Sequence, residues 1–351
     1  MKCKSVAGMI VAVLFFAASV LSQDYRDVTR ASRVALPGDL YYQDGFRVQW
    51  WYFTGHLYDD SGREFGYELT FFTVHVQERK YESEFGVNRI YISHFALSDL
   101  SRNAFLFSDQ ADTDAYELGG AKRDALKVWV GRNLLEGDMR RMHIRAAGRE
   151  TALDLYLEPA KPVVLHGDKG YSRKSEESPL FASLYFSLPN LKTDGSITLG
   201  GKRFKVRGKS WFDRELSSQG LSKDQQGWDW FALQLDDGRE IMLYLIRKRD
   251  GVVDRFSSGT FVYADGRYRG LAKDDFRVAV LDRYRSKKTG ARYPSRWGIA
   301  IPSENLRLRI TPSMQDQEVI AYGTTGNHYW EGTCEVEGTV TGRAYVEMTG
   351  Y

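Results

Sequence analysis

The sequence has little cysteine: Cys3 and Cys334 are the two among 351 residues. Cys3 lies in an N-terminal segment with the pattern of an export signal, so Cys334 has no partner in the mature chain. An exported protein with one cysteine has no internal disulfide, and its stability must come from its apolar cores. Cys334 stands in a strand-like run, which favours a small buried residue over a nucleophile.

An excess of charge of either sign is missing as well. The 49 Lys and Arg residues nearly balance the 46 Asp and Glu residues, and the formal net charge is +3 at pH 7. Lys2 and Lys4 belong to the predicted export signal, so the mature chain is closer still to neutrality. Because binding to nucleic acid depends on a concentrated basic surface, nucleic acid is not a predicted partner.

Long hydrophobic runs are absent after the N-terminus. There, two lysines precede an apolar run over residues 6–21, and Val20 and Ser22 suit cleavage. We predict a signal peptide over residues 1–22, a mature chain that begins near Gln23, and a periplasmic or secreted location. An uncleaved anchor is the alternative, but the run is shorter than the roughly 20 apolar residues of a spanning helix. No lipoprotein cysteine stands at the cleavage site, and no stable membrane insertion is expected after cleavage.

Common catalytic and cofactor motifs are missing too. The sequence has no G-x-S-x-G elbow of a serine hydrolase and no Walker pattern, although His166 stands in the Gly-rich stretch HGDKGYS. The other histidines are scattered, without the close spacing of a zinc site: they are His56, His75, His94, His143 and His328. We therefore predict neither a metal nor a cofactor.

What the sequence does contain is a two-residue alternation of apolar and polar side chains. It runs through REFGYELTFFTVHV, ALKVWVG, TALDLYLE, REIMLYLIR and AYVEMTGY, and many of the 33 glycines stand in the turns between such runs. Aromatic residues make up 14% of the chain, which is typical of β-rich structure or of an aromatic-lined cavity. No long amphipathic helix is evident, so the pattern predicts an all-β antiparallel protein.

An unusual aromatic motif occurs twice. QWWYFTGHLYDDSGRE begins at Gln49, and QGWDWFALQLDDGRE begins at Gln226. In each copy an aromatic strand is followed by an Asp/Gly turn and a second alternating strand, which is the pattern of a β-hairpin. We therefore predict two related β domains, over residues 23–223 and 224–351. Chance similarity of two hairpins is the alternative, and closed barrels and two-sheet sandwiches both fit the pattern.

Six longer stretches carry a family resemblance: QWWYFTGHL, HGDKGYS, SWFDREL, GWDWFALQLDDG, YPSRWGIAIP and the terminal YWEGTCEVEGTVTGRAYVEMTGY. From about Gly38 to the C-terminus, the chain resembles the AttH-like secreted proteins, which are related to carotenoid 1,2-hydratases. The resemblance implies two lipocalin-like antiparallel β-barrels, one for each predicted domain, that pack together and form an apolar cavity. It also implies a lipophilic, isoprenoid-like small molecule as partner, and it leaves the oligomeric state open.

The hydratase branch of this family implies a particular chemistry: a C=C bond of an acyclic isoprenoid is protonated, and water captures the cation. Such a step needs a carboxylic acid kept protonated by an apolar site, and aromatic faces that stabilise the cation. Asp213, in Trp211-Phe212-Asp213, matches the aromatic-x-Asp motif of that branch. It is the predicted acid of a hydro-lyase, and isomerisation of the C=C bond by the same acid is the alternative reaction. Glu215 is a second candidate, and His166 is expected to position water or exchange the proton.

The candidate ligand-contacting residues are all aromatic. They are Trp50, Tyr52, Tyr171, Tyr185, Trp211, Trp228 and Trp230. Aromatic residues at strand spacing also serve as ordinary core packing, and Asp213 and Glu215 beside Arg214 also suit a structural bridge between the domains. The second functional interpretation is therefore a non-catalytic carrier of a hydrophobic small molecule, in which Asp213 is structural or holds a polar end of the ligand.

Overall fold

The computed structural model describes residues 25–75, 87–217 and 219–351. The predicted signal peptide, residues 1–22, lies outside these ranges. Within them, the helical segments are short 3-10 turns: Gly38–Leu40, Leu100–Arg102, Ala115–Glu117, Lys273–Asp275 and Pro302–Glu304. Among the described residues, no helix has the length and hydropathy that a membrane crossing requires.

The first sheet contains strands β1 to β13. In chain order they are Val48–Asp59, Glu64–His75, Arg89–Asp99, Ala104–Thr113, Gly119–Ala121, Leu126–Val130, Asn133–Gly137, Met142–Ala147, Thr151–Pro159, Val164–Leu165, Tyr171–Arg173, Ala182–Leu199 and Lys202–Ser217. Neighbouring strands follow the order β4-β3-β2-β1-β13-β12-β9-β8-β7-β6-β5, and β10 and β11 also pair with β12. At the two ends of this order β4 lies against β5, so the sheet curls into a barrel.

The second sheet contains strands β14 to β23. In chain order they are Gln225–Leu235, Glu240–Lys248, Ser258–Val262, Tyr268–Leu271, Arg277–Arg285, Arg292–Ile301, Leu306–Pro312, Glu318–Ala321, Asn327–Gly338 and Gly342–Thr349. Their order is β17-β16-β15-β14-β23-β22-β20-β19-β18, and β21 also pairs with β22. This sheet curves around its own apolar core as a partly closed barrel. The prediction of an all-β protein with two antiparallel barrels packed together is confirmed.

Both copies of the aromatic motif form equivalent hairpins. β1 pairs with β2 in the first sheet as β14 pairs with β15 in the second. Gly62 (φ +83°) and Gly238 (φ +84°) occupy the left-handed region in the two turns, a conformation that disfavours any side chain. Their backbone N–H groups donate to the carbonyl oxygens of Asp59 (3.0 Å) and Leu235 (3.1 Å). The similarity between the two stretches therefore has a common local geometry behind it.

The alternation along each strand separates two apolar environments. On β1, Trp51 lies in the core of the first barrel, whereas Trp50 and Tyr52 face the second sheet. On β14, Phe231 lies in the core of the second barrel, whereas Trp230 faces the first sheet. The barrel interiors are therefore filled by their own side chains, and the aromatic candidates meet between the sheets.

Hydrogen bonds fasten the two sheets to each other across this junction. The Ser98 hydroxyl donates to Gln317 Oε1 at 2.8 Å. His94 Nδ1 lies 2.7 Å from the Tyr329 hydroxyl oxygen. All four residues are buried, so these bonds form away from water, where an unmade bond would be costly. The junction is thus a fixed, partly polar interface that holds the candidate residues in register.

Candidate active site

Three neighbouring strands of the first barrel present the candidate acid. The pairing register places Asp213 on β13 between Ser187 on β12 and Tyr52 on β1. Residues directly opposite each other in a sheet point to the same face, so these side chains form one row toward the second sheet. Trp211 and Glu215, two residues before and after Asp213, share that face because strand side chains alternate.

The carboxyl group of Asp213 is surrounded by hydrogen-bond donors, and the residue is only 4% exposed. Ser187 Oγ and Trp211 Nε1 both donate to Oδ1, the indole at 2.6 Å. The Tyr185 hydroxyl donates to Oδ2 at 2.6 Å. Trp230 Nε1, from the second sheet, donates in turn to the Tyr185 hydroxyl at 3.0 Å. Both barrels therefore contribute to the surroundings of this carboxyl group.

Burial raises the pKa of Asp213 from 3.8 to about 7. Removal of the carboxylate from water is the largest cause, whereas the hydrogen bonds from Ser187, Tyr185 and Trp211 act in the opposite direction. The negative charge of Glu215 raises the pKa further. Near neutral pH a large share of Asp213 is therefore protonated and able to donate, which is the property that acid catalysis on a C=C bond requires.

His166 is connected to Asp213 through Ser187. Its Nε2 lies 2.6 Å from Ser187 Oγ, and its Nδ1 lies 2.8 Å from Thr260 Oγ1 on β16. Burial lowers the pKa of His166 to about 3, so the imidazole is neutral at neutral pH. A neutral imidazole donates from one nitrogen and accepts at the other. The arrangement is therefore a continuous hydrogen-bonded series from Thr260 to the carboxyl group of Asp213.

Aromatic side chains of both sheets enclose the acid. The ring of Trp230 lies 5.2 Å from the ring of Tyr52 and 6.2 Å from that of Trp211, edge-to-face in both cases. These three belong to one buried cluster between the sheets, together with Tyr185, Ala232, Met242, Tyr244, Ile246 and Tyr345. The surroundings of Asp213 are consequently shielded from bulk water and rich in π-electron faces.

Glu215, the second candidate acid, has a cationic partner. Lys174 Nζ lies 3.2 Å from its Oε1. The same ammonium group lies over the rings of Tyr185 (5.0 Å) and Tyr244 (4.3 Å), where it adds cation–π contacts. A carboxylate paired with a lysine suits charge balance at the edge of the site better than proton donation.

The other predicted aromatic residues are not all at the site. Trp50 and Trp228 are half-buried and pack against the cluster between the sheets. Tyr171 belongs to a separate apolar cluster, and its hydroxyl donates to the carbonyl oxygen of Pro179 at 2.7 Å. The next residue, Ser172, faces the second sheet and lies 3.1 Å from the Tyr244 hydroxyl, so alternation turns Tyr171 to the opposite side.

Several residues that the fold brings to the site are not among those predicted from the sequence. Ser187 and Thr260 link His166 to Asp213, and Lys174 pairs with Glu215. Two glutamates of the terminal motif, Glu331 and Glu347, also reach the junction. A clue was present in that motif, because each glutamate stands among alternating aromatic and apolar residues. The sequence does not show, however, which residues of the other sheet these glutamates meet.

The side chains fill most of the junction. A gap of about 10 Å³ remains beside Trp211, which is room for about one water molecule. Its lining residues come from both sheets: Thr54, Gly55, His56, Trp211, Ala232, Gln234, Arg343 and Tyr345. The resemblance led us to expect an open apolar cavity, whereas large aromatic side chains occupy the space beside the acid. A lipophilic ligand can reach Asp213 only if these side chains move apart.

The contribution of Asp213 to the free energy of unfolding is predicted to fall between about pH 4 and pH 7. A carboxyl group whose pKa is higher in the folded than in the unfolded state holds its proton more tightly when folded, so stability decreases over that interval and is level above it. For Asp213 the interval runs from 3.8 to about 7. We expect this contribution to decrease by about 2–4 kcal/mol between pH 4 and pH 8, measured by urea unfolding as the difference between wild type and Asp213→Asn. The fall should be smaller in Asp213→Asn, and an equal fall in both proteins would contradict the assignment.

Comparisons with known proteins place this architecture among its relatives. A family model described as AttH-like matches residues 27–351. A crystal structure of an AttH protein from Nitrosomonas europaea has a TM-score of 0.85 and 30% identity, covering 93% of this chain and 99% of that chain. Kievitone hydratase from Nectria haematococca has a TM-score of 0.67 and 16% identity, covering 93% and 96%. Dehydratase asqC of Emericella nidulans is 24% identical over 257 residues, 69% of this chain and 68% of that protein.

Fold and site together define a protein of two lipocalin-like barrels with a buried acid at their junction. The family match spans nearly the whole of the described chain, and the Nitrosomonas europaea structure shares its architecture over nearly its full length. This chain belongs to the AttH-like family. Its relatives include proteins named as a hydratase and as a dehydratase.

Proposed function

We propose that this protein adds water to, or removes water from, a C=C bond of a lipophilic, isoprenoid-like small molecule. The observation that carries the proposal is Asp213, a buried carboxyl group with a pKa of about 7 within an aromatic cluster. The names of a hydratase and a dehydratase among the relatives support the same type of reaction.

In the hydration direction, protonated Asp213 donates its proton to one carbon of the double bond. The neighbouring carbon becomes cationic, and the faces of Trp211, Trp230 and Tyr52 stabilise that charge in the absence of bulk water. The oxygen of a water molecule then bonds to the cationic carbon and releases a proton. In the dehydration direction, the same steps run in reverse, and Asp213 recovers its proton from carbon.

The series Thr260–His166–Ser187 adjusts to the proton on Asp213. While Asp213 is ionised, Ser187 donates to it, so His166 Nε2–H donates to Ser187 and Nδ1 accepts from Thr260. When Asp213 is protonated and donates to Ser187, each bond in the series reverses, and the imidazole changes tautomer without taking a charge. His166 therefore supports both states of the acid, and it does so as a neutral ring.

Removal of the Ser187 hydroxyl tests this arrangement. The hydrogen bond from Ser187 stabilises the ionised form of Asp213, so Ser187→Ala should raise the pKa of Asp213 above 7, by on the order of one unit. Carboxyl carbon-13 NMR across a pH titration measures the shift. Ser183→Ala, on the same strand, is the matched control because the Ser183 hydroxyl makes no hydrogen bond to any described residue. An unchanged or lowered pKa in Ser187→Ala would refute the role of Ser187.

The proposal includes the isoprenoid class of the ligand and the cellular location of the protein. Aromatic rings from both sheets surround the acid and suit an unsaturated hydrocarbon chain better than a sugar or a nucleotide. The N-terminal pattern of residues 1–22 supports export, and we place the protein in the periplasm or outside the cell.

The experiment is incubation of the mature protein with a panel of acyclic terpenoids in oxygen-18 water, with bound ligand and product recorded together by mass spectrometry. We expect oxygen-18 in a product alcohol, and none with Asp213→Asn. If a ligand is retained without modification, the protein is a carrier of that ligand and the enzyme proposal is wrong. If no member of the panel is bound or converted, the isoprenoid class is wrong.

A further inference from the structure

A second carboxyl group stands across the junction from Asp213. Glu347 lies on β23, and the pairing register sets it directly between Trp230 on β14 and Glu331 on β22. The three side chains therefore share one face and form a row on the second sheet. Glu331 and Glu347 stand in the terminal motif that contributes to the family resemblance, and neither is among the predicted site residues.

Both neighbours of Glu347 in this row contact Tyr52 of the first barrel. Glu331 Oε1 accepts a hydrogen bond from the Tyr52 hydroxyl. The ring of Trp230 lies 5.2 Å from that of Tyr52. Since Tyr52 is the register partner of Asp213 on β13, the row containing Glu347 faces the row containing Asp213. The two carboxyl groups thus approach the same space from opposite sheets.

The pKa of Glu347 is raised by the same causes as that of Asp213. Burial is the largest cause that raises its pKa to about 7. A hydrogen bond from the Trp228 side chain opposes this, and the negative charges of Asp213 and Glu215 raise the pKa further. Glu347 keeps some exposure to solvent, whereas Asp213 is 4% exposed. It is therefore the carboxyl group of this pair with the easier exchange of protons with water.

Buried polar atoms that make no hydrogen bond lie along the same part of the junction. Among the described residues, the buried atoms with no hydrogen bond include Tyr345 Oη, Glu68 Oε2 and His56 Nδ1. Tyr345 is two residues from Glu347 on the same face of β23, and Tyr345 and His56 both line the small gap beside Trp211. Buried polar groups in proteins are normally satisfied, so a water molecule among these atoms is the expected partner.

We propose that Glu347 is the second acid–base residue of the site and acts on the water molecule while Asp213 acts on carbon. This inference rests on the proposed function. In hydration, Asp213 gives its proton to one carbon, the water oxygen bonds to the other, and the proton released by that water passes to the Glu347 carboxylate. In dehydration, Glu347 protonates the leaving hydroxyl group and Asp213 takes the proton from carbon. Each turnover leaves one proton fewer on one carboxyl group and one more on the other, and exchange with solvent restores them.

Other titratable groups face Glu347 and share its proton equilibrium. From the first sheet they are Asp213, Glu215, Tyr52 and Glu68, and from the second sheet they are Glu331 and Tyr329. Lys174 balances Glu215. Because these acids interact, the two protons that matter for turnover leave in steps that belong to the pair rather than to either residue.

The test is the pH dependence of kcat/KM for oxygen-18 incorporation into the terpenoid that the wild-type protein converts best. Wild type should show a bell-shaped profile, because one carboxyl group must be protonated and the other ionised. Glu347→Gln should lower the rate roughly 10²-fold to 10³-fold and remove the acidic limb of the profile, since no base then needs to be ionised. Glu347→Asp should keep the bell with a smaller loss. Glu335→Gln, at an exposed position of β22, should match wild type.

The outcomes separate this inference from the proposed function. A Glu347→Gln profile that keeps both limbs would overturn the inference, whatever its height. A uniform loss at all pH values, with Glu347→Asp no better, would assign Glu347 a purely structural role and overturn it as well. If wild type incorporates no oxygen-18 from any member of the panel, the proposed function fails and takes the inference with it.

Discussion

Asp213→Asn is expected to reduce turnover by at least roughly 10³-fold while ligand binding persists. The amide has nearly the same volume as the carboxyl group and can still contact Ser187, Trp211 and Tyr185, but its N–H protons are far too weakly acidic for transfer to carbon. The measurement is kcat and ligand affinity for both proteins at neutral pH. Asp194→Asn, the same change at an exposed position of the neighbouring strand β12, is the control and should leave both values unchanged.

The same variant has an opposite effect on stability. At pH 8 the wild-type protein must either keep Asp213 ionised in a site shielded from water or hold a proton on it at a pH above its pKa. Either state costs free energy. Asparagine removes that cost, so Asp213→Asn should be more stable than wild type at pH 8 by about 2–4 kcal/mol, and nearly equal to it at pH 4. Loss of stability, together with loss of binding, would instead mark Asp213 as a structural residue of the junction.

Lys161→Met is expected to destabilise the protein by about 3–5 kcal/mol, because it leaves a buried carboxylate without its cation. Lys161 follows β9 of the first barrel, and its Nζ lies 2.6 Å from Glu240 Oε2 and 2.8 Å from the carbonyl oxygen of Tyr263 in the second. Glu240 is 1% exposed. The effect is measured by urea unfolding, and hydrogen exchange at the junction should rise with it.

We call the ion pair between Lys161 and Glu240 the Lys161 clamp. A second substitution separates the effect of its charges on stability from the effect of its packing. Lys161→Met combined with Glu240→Gln should recover most of the loss, since Asn190 can still bond the amide and no charge remains buried. Lys192→Met, at an exposed position of β12, should change stability by less than about 0.5 kcal/mol. A loss below about 1 kcal/mol in Lys161→Met would show that the clamp contributes little to holding the barrels together.

Local patterns predicted the fold well, because the relevant physics acts over a few residues. Alternation marks strands such as β1 and β14, and the Asp/Gly turns at Gly62 and Gly238 require a conformation that glycine adopts most readily. The family resemblance, through its aromatic-x-Asp motif, identified Asp213 beside Trp211 as the candidate acid. Its burial could not be read from the sequence, since the second sheet supplies the side chain that encloses it.

Residues that depend on contact between the sheets were beyond sequence reasoning. Ser187 has no distinguishing neighbour in the chain. It links His166 to Asp213 only because β12 pairs with β13 and because His166 contacts the Ser187 hydroxyl. Tyr171 was a reasonable aromatic candidate, but one residue of register decides which side of a strand faces the site, and Ser172 has that position. Glu347 becomes notable only when β23 is placed opposite the first barrel.

The side chains that fill the junction also limit how a substrate of the proposed reaction could reach Asp213. The aromatic rings that would stabilise a cation are the rings that occupy the space beside Asp213. Entry of the proposed substrate therefore requires that they separate, while the cross-sheet hydrogen bonds and the Lys161–Glu240 ion pair keep the barrels in register. A closed site of this kind excludes bulk water, which protects a cationic intermediate from uncontrolled capture.

The most direct test of the central claim is the infrared carbonyl absorption of protonated carboxyl groups across a pH titration, taken as the difference between wild type and Asp213→Asn. The account predicts a band that is present in wild type at pH 6, absent in the variant, and lost with a midpoint near 7. A difference spectrum without such a band at pH 6, or with a midpoint near 4, would show that Asp213 is an ordinary ionised carboxylate and would contradict its role as the acid.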